Sequence, residues 1–434
     1  MPKKVLIVTG ATGAGHNSVA KTLHKAIEEL AAGAVEVTVL DYVSAGRPSW
    51  IGSFSRLYAP MIVRFPFLWG AAYHLSNSRR LVLLLRALAG LTAARHLARA
   101  LISDPPDLIV CVHPLFNQVV AAAVRRTGVP LPLVTVITDL AEPHAAWVAP
   151  EVTLYAAPTE EVRQGLVAQG VEPGRVRVVG LPVDQRFFEC GEATPEALPS
   201  DGTPRTLTLL LTGGGEGAGA MYDAALALAH SGLVARLIVV CGRNDTLRHR
   251  LNVASLPIRS QVLGFCDDMP ALLRAADVVV GKAGALNIGE AVAARKALVF
   301  LRSLPGQEAA NVRFACARGL GTEVPDVGQL VKLARRWATE PGKARDQAVH
   351  AVEAGPRAGA HSRARQSRVA ASGSDGTRPR CRDSSLSLGI TGDAPLNSDQ
   401  VRALWQGGGK TIAEAVLQLA HQKEKETWQV RPAE

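Results

Sequence analysis

The sequence predicts an α/β protein of two domains, each a parallel sheet covered by helices on both faces. Three observations carry this. The chain has 434 residues, about three times a typical ~150-residue domain. Short apolar runs alternate with helical patterns along most of it. After a Pro/Gly-rich stretch near Cys190–Pro204 the same alternation starts again. In the first half, Val5–Thr9, Val35–Leu40, Asp107–Val112 and Leu133–Thr138 read as buried strands, with helical stretches such as Asn17–Ala31 and Phe116–Arg126 between them. In the second, Thr206–Leu211, Ala235–Cys241, Ser260–Leu263, Asp277–Val280 and Leu298–Leu301 form another strand set. Alternation of this kind needs crossover helices, and these bury the sheet on both faces. The expected domains are 1–185 and 200–340, with a linker around 185–205.

Composition narrows the class. Hydrophobic residues at 47% and charged residues at 20% are normal for a globular chain. The six cysteines are scattered without CxxC spacing, so neither a zinc framework nor a disulfide scaffold is expected, and a reducing cytoplasm is the simplest compartment. The N-terminal residues do not read as a signal peptide, and no window of ~18 residues is apolar and free of charge. The net charge of +10 favours an anionic partner.

Two segments break the alternation. Residues 42–103 contain eight Arg and no Asp or Glu, and seven of the chain's aromatics fall within Trp50–Tyr73. Residues 341–385 hold no Leu, Ile, Met, Phe, Trp or Tyr, and nine basic against four acidic residues. Such a stretch buries too little apolar surface to offset its ordering entropy, so 341–400 reads as a disordered or aberrant basic segment. A helical apolar pattern returns at Thr411–His421, giving an expected C-terminal helix within 401–434.

The chemistry-bearing residues sit where strands end. The first strand runs into Thr9-Gly10-Ala11-Thr12-Gly13-Ala14-Gly15-His16 and then a helix. Glycines there let backbone N–H groups approach a ligand. His16 in the first helical turn would be held neutral by the local dipole, as a base requires, though by itself it is as readily structural. Asp41 closes the second strand and is read as a turn cap. The second half opens with Leu211-Thr212-Gly213-Gly214-Gly215-Glu216-Gly217, which points to close contact with a ligand. The Lys282–Ala291 stretch is a strand end, a glycine loop and a helix. Its Glu290 could accept two hydroxyl hydrogen bonds from a ribose diol, or simply face solvent. Gln307, Glu308 and Asn311 cluster at another helix start and could read sugar hydroxyls. The three loops follow strands of one sheet, so they should converge at its carboxyl edge. No Asp-x-Asp motif is present, so no metal is expected, and helix N-termini would stabilise a departing diphosphate.

As a set these residues resemble glycosyltransferase family 28, most closely the monogalactosyldiacylglycerol synthases and the bacterial processive diacylglycerol glucosyltransferases. The matching segments are Gly13–His16, Val112–Leu115, Ile137–Leu140 with His144 and Trp147, Gly180–Val183, Gly213–Gly217, Lys282–Glu290, and Pro305–Glu308 with Asn311. They cover about residues 3–340 in the family's order. Two departures stand out. Ala14 replaces a glycine of the family's Gly-Gly-His loop, and Ala285-Leu286 stands where Pro-Gly is frequent.

The resemblance implies the GT-B arrangement, two facing Rossmann-like domains with the nucleotide sugar on the second. It implies that Gly214, Gly215 and Glu216 hold the diphosphate and sugar, and that Phe265 holds the uracil. Gly284 and Ala285 would form the phosphate loop and Glu290 would bind the ribose. Gln307 and Glu308 would read the hexose. His16 would be the general base, with His113 and Asp139 lining the acceptor side. The implied reaction is inverting transfer of glucose or galactose from a UDP-sugar, a substrate and not a cofactor, to diacylglycerol. The segment around Trp50, Phe54, Arg56, Arg64, Phe65 and Trp69 would meet an anionic membrane surface. The expected place is therefore the cytoplasm, peripheral on the inner face of the cell membrane. No nucleic-acid motif is present. The alternatives are an N-acetylglucosamine transferase acting on a lipid-linked acceptor, a UDP-sugar epimerase, and a non-catalytic UDP-sugar and lipid binder.

Overall fold

The computed structural model describes residues 2–10, 14–42, 65–91, 93–192, 207–233, 235–301, 306–339 and 398–422. Trp50, Phe54, Arg56 and Arg64, and the segment 341–397, lie outside the described residues.

The first domain holds β1 (Lys3–Thr9), α1 (Ala14–Ala31), β2 (Val35–Asp41), α2 (Pro66–Ser76), α3 (Arg79–Leu91), α4 (Ala93–Ser103), β3 (Leu108–Cys111), α5 (Pro114–Thr127), β4 (Leu133–Val136), β5 (Leu154–Ala157), α6 (Glu160–Ala168) and β6 (Val176–Val178). Its six strands are all parallel, in the order β2-β1-β3-β4-β5-β6. The second domain holds α7 (Gln185–Glu192), β7 (Leu207–Thr212), α8 (Met221–Ala229), β8 (Ala235–Val240), α9 (Asp245–Val253), β9 (Ser260–Leu263), α10 (Met269–Ala275), β10 (Val278–Gly281), α11 (Ala285–Ala293), β11 (Ala297–Leu301), α12 (Gln307–Ala317), β12 (Thr322–Val324) and α13 (Val327–Thr339). Its strands are also parallel, ordered β12-β11-β10-β7-β8-β9. The protein thus has the GT-B arrangement of two Rossmann-like sheets.

Central strands are buried along their length and mostly apolar because helices cover both faces. Every residue of β3, β4, β7, β10 and β11 is buried. The edge strand β9 has no buried residue. This contrast explains which strands a hydrophobic run betrays. The short edge strands β6 and β12, three residues each, carry too little pattern to be read. In each sheet the strand order reverses beside the domain's first strand. The reversal lies between β1 and β3 in one sheet and between β7 and β10 in the other, and ligands bind at such crevices in open α/β sheets.

Two sequence expectations change. The linker expected around 185–205 begins as helix α7, whose Phe187, Phe188 and Cys190 are buried in a core shared with Leu273 and Ile288 of the second domain. A helical face with two phenylalanines gains more from that burial than from serving as a solvated connection. Where one C-terminal helix is expected, two occur: α14 (Ser398–Gln406) and α15 (Gly408–Gln422). α14 packs on α11, and α15 returns to lie along α1 of the first domain. Gly180 permits this: a Cβ there would sit 2.4 Å from the Leu404 carbonyl oxygen. Trp405 is buried at the junction, with its indole N–H donating to the Pro158 carbonyl.

Candidate functional site

A cleft of about 850 Å³ opens between the carboxyl edges of the two sheets. The first domain contributes the start of α1. His16 is half-buried in its first turn, and its Nδ1 lies 2.8 Å from the Val112 carbonyl oxygen. A carbonyl only accepts, so Nδ1 carries the proton and Nε2 keeps the lone pair. Thr138 Oγ1 lies 3.4 Å from the same nitrogen. Burial holds the His16 pKa below its ordinary 6.5, and nearby Lys282 adds to this while the Val112 bond and Asp139 oppose it. The arrangement is a neutral imidazole with one nitrogen fixed and the other able to take a proton.

His113 and Asp139, expected to line the acceptor side, are buried beside His16. His113 caps α5, its Nδ1 accepting from the Leu115 N–H, and its ring packs 4.3 Å from that of His16. Burial and His16 together push its pKa well below the ordinary value. Asp139 accepts from the Trp147 indole N–H at 2.7 Å and from the His144 N–H. His113 meets His16 through its ring, and Asp139 acts on it through its charge. The signal for this lay in the sequence, since a histidine immediately before a proline-started helix is in N-cap position.

The second domain faces His16 with its glycine turn. Gly214 adopts φ +67, and a Cβ on Gly215 would lie 2.5 Å from the Ala14 Cβ, so the two domains' loops touch. α11 starts at Gly284 and Ala285 with no side-chain cap, presenting its N-terminus to the cleft. Such an end favours an anion. Lys282 lies along this loop and pairs with buried Glu308 at 3.1 Å. Gln307 is the first residue of α12. Glu290 lines the cleft, and among the described residues its carboxylate has no hydrogen bond. Burial, with Asp184 nearby, pushes its pKa up to about 8.

Phe265 is 47% exposed at the cleft's far end. Arg243, which the sequence reading passed over, stands 4.7 Å over its ring and donates to Glu216 at 2.9 Å. Asn311 joins the two domains. Its amide donates to the Ala283 carbonyl and its oxygen accepts from the Leu140 N–H. Of the residues expected at a membrane, Trp69 lines the cleft and Phe65 is exposed. α2 also reaches the second domain: Gly306, at φ +98, leaves the space that the Tyr73 ring occupies. Among the described residues no group of His, Cys, Asp and Glu is arranged to hold a metal.

Comparison with known proteins identifies the chain's family and its fold. Residues 16–183 match the family model described as "Monogalactosyldiacylglycerol (MGDG) synthase", and residues 208–310 match "Glycosyltransferase family 28 C-terminal domain". The chain is 31% identical over 346 residues to a probable monogalactosyldiacylglycerol synthase of Nicotiana tabacum, covering 77% of this chain and 64% of that protein. It is 30% identical over 348 residues to a probable monogalactosyldiacylglycerol synthase 2 of Oryza sativa subsp. indica, covering 78% and 74%. The chain therefore spans just under two thirds of the Nicotiana relative's length. Among solved structures, the glycotransferase of kitacinnamycin has the same fold at TM-score 0.55 and 12% identity, covering 97% of this chain and 100% of that one. MurG of Acinetobacter baumannii does so at TM-score 0.52 and 18% identity, covering 82% and 97%.

Proposed function

Because the chain belongs to the monogalactosyldiacylglycerol synthase family, we propose that it transfers a hexose from a UDP-sugar to diacylglycerol with inversion at the anomeric carbon. The observation that carries this is the opposition of His16, with its Nδ1 pinned to Val112, to the glycine turn Gly214–Glu216 and the uncapped start of α11. In this reading the acceptor hydroxyl enters the cleft against His16. Nε2 takes its proton as the oxygen attacks the anomeric carbon, and the bond to the UDP oxygen breaks on the opposite side. Positioned base catalysis contributes typically about 10²–10⁴-fold. The developing charge on UDP meets the N-terminus of α11 and Lys282, and fixed donors of this kind supply the larger share. Glu290 accepts the ribose hydroxyls, Phe265 stacks on the base, and Gln307 and Glu308 read the hexose. The relatives' names make galactose the first sugar to test.

The acceptor is a lipid, and the reading includes a place for it. Phe65, Phe67, Leu68 and Leu75 of the α2 region and Leu83 and Leu84 of α3 are exposed large apolar side chains. Exposed Arg80 lies between them in sequence. Large apolar side chains exposed on two neighbouring helices, with a basic residue between them in sequence, suit the headgroup boundary of an anionic bilayer. No helix among the described residues is long and apolar enough to cross a membrane. In this reading the protein works as a peripheral enzyme on the inner face of the cell membrane.

The test is release of UDP from UDP-galactose and UDP-glucose, with anionic liposomes containing or lacking diacylglycerol, and products identified by mass. Release that depends on diacylglycerol is expected. Interconversion of the UDP-sugars without lipid and without UDP release, read by chromatography, would instead favour an epimerase, and transfer only when UDP-N-acetylglucosamine and a lipid-linked acceptor are supplied would move the acceptor class. Binding without turnover of any donor would make the protein a non-catalytic binder.

A further inference from the structure

We infer that Arg243 is a donor-binding residue that reads the charge of the nucleotide's diphosphate, a role that rests on the proposed UDP-sugar donor. The guanidinium stands between two parts of the cleft that a nucleotide sugar must span, the Phe265 ring and the glycine turn. Its Cζ is 4.7 Å from the Phe265 centroid, and its Nη1 donates to Glu216 Oε1 at 2.9 Å. The backbone holds the residue there as well. The Arg243 N–H donates to the Gly215 carbonyl at 2.9 Å. The preceding Gly242 has φ +58, and a Cβ on it would lie 2.5 Å from the Gly215 oxygen and 2.6 Å from the Gly214 oxygen. Only a glycine fits so close to that turn, so the chain leaving β8 is pressed against the loop expected to meet the diphosphate.

The chemistry follows from this placement. A guanidinium has five N–H donors in a planar fork. Among the described residues Glu216 takes a bond from one of them, and the residue lines the cleft. A planar fork held by a carboxylate on one side is suited to paired phosphate oxygens on the other. Lys282, paired with Glu308, lies along the glycine loop across the same turn, its Cε 2.8 Å from where a Cβ on Gly214 would sit. A diphosphate joining a base on Phe265 to a sugar near Glu308 would run between these two cations. Glu216 sets the guanidinium's direction and Phe265 its height, so little ordering is left to be done when the ligand arrives.

The experiment compares UDP with uridine, which shares the base and ribose but has no charge, by calorimetry on the full-length wild type, R243Q and R243K. Wild type should bind UDP more tightly than uridine. R243Q should weaken UDP about tenfold or more, the size of a lost charge-assisted hydrogen bond, and leave uridine affinity within about twofold. R243K, which keeps the charge without the fork, should fall between. Circular dichroism and melting curves that match wild type establish that the variants fold. An equal loss for UDP and uridine overturns the inference and makes Arg243 a support for Phe265. Unchanged UDP affinity in R243Q overturns it too. A wild type that binds neither ligand overturns the donor assignment itself, and this inference with it.

Discussion

At the scale of single residues, protonation is what the site controls. In the proposed reaction His16 serves as a base only when neutral, and burial lowers its pKa from the ordinary 6.5. The acid limb of the rate against pH should therefore fall below that value, with activity lost as the pH drops through the His16 pKa. His16→Gln should lower kcat by about 10²–10⁴-fold while UDP affinity, read by calorimetry, stays near wild type. Glu290 behaves in the opposite sense. Its pKa is raised from the ordinary 4.5 to about 8, so the folded protein holds a proton that the unfolded chain has lost. Its contribution to stability is greatest below 4.5 and is lost as the pH rises through about 8. Glu290→Gln should match wild type in melting temperature in acid and exceed it in mild alkali. A ribose diol donates to the ionised carboxylate, so UDP binding near neutral pH should release a proton. Calorimetry in buffers of different ionisation heat will detect that proton, and Glu290→Gln should not release it.

At the scale of elements, α2 and α3 each divide their side chains between two environments. α2 puts Trp69 into the cleft and the Tyr73 ring against Gly306, while Phe67 is 82% and Leu75 73% exposed. α3 is tied to the first domain by the buried Arg86–Glu151 ion pair and leaves Leu83 and Leu84 outside. Removing one partner of a buried pair is costly, so this anchor is firm. The double substitution Phe67→Glu with Leu75→Glu should abolish co-sedimentation with anionic liposomes and leave UDP affinity unchanged. Retained liposome binding would move the membrane contact elsewhere. The basic, aromatic composition of 42–103 is legible in the sequence. The division of α2 between cleft and surface is not, because periodicity shows that a side chain is apolar and not which apolar environment receives it.

At the scale of the molecule, the two domains share one hydrophobic core and also meet beside the cleft through small, specific contacts. The Ala14 methyl rests over Gly215, and Leu286 lies about 3.8 Å from where a Cβ on Gly15 would be. Both departures from the family's loops thus fall at the same seam. Asn311 links the Ala283 carbonyl to the Leu140 N–H, and the Arg318–Glu161 and Arg313–Glu142 pairs run along the same side. The Arg313–Glu142 pair is well exposed and contributes little. Asn311 is buried, and its loss leaves backbone groups unpaired at about 1–3 kcal/mol each. Asn311→Ala should lower the melting temperature, raise KM for the donor more than it lowers kcat, and enlarge the radius of gyration in small-angle scattering.

The sequence by itself determined the α/β class, the parallel strands and the loops at the cleft, because all three are written in local patterns. A strand buried on both faces must be apolar along its length, as Leu209–Leu211 and Val278–Val280 are, and a loop that approaches a ligand needs glycine beside a helix start. Only the tertiary structure decided that α15 returns to α1, that His113 and Asp139 stand beside His16, and that Arg243 crosses from Glu216 to Phe265. Each of these depends on residues far apart in the chain meeting across a packed interface. Partner choice there is set by which surfaces exclude water together, and no local pattern records it.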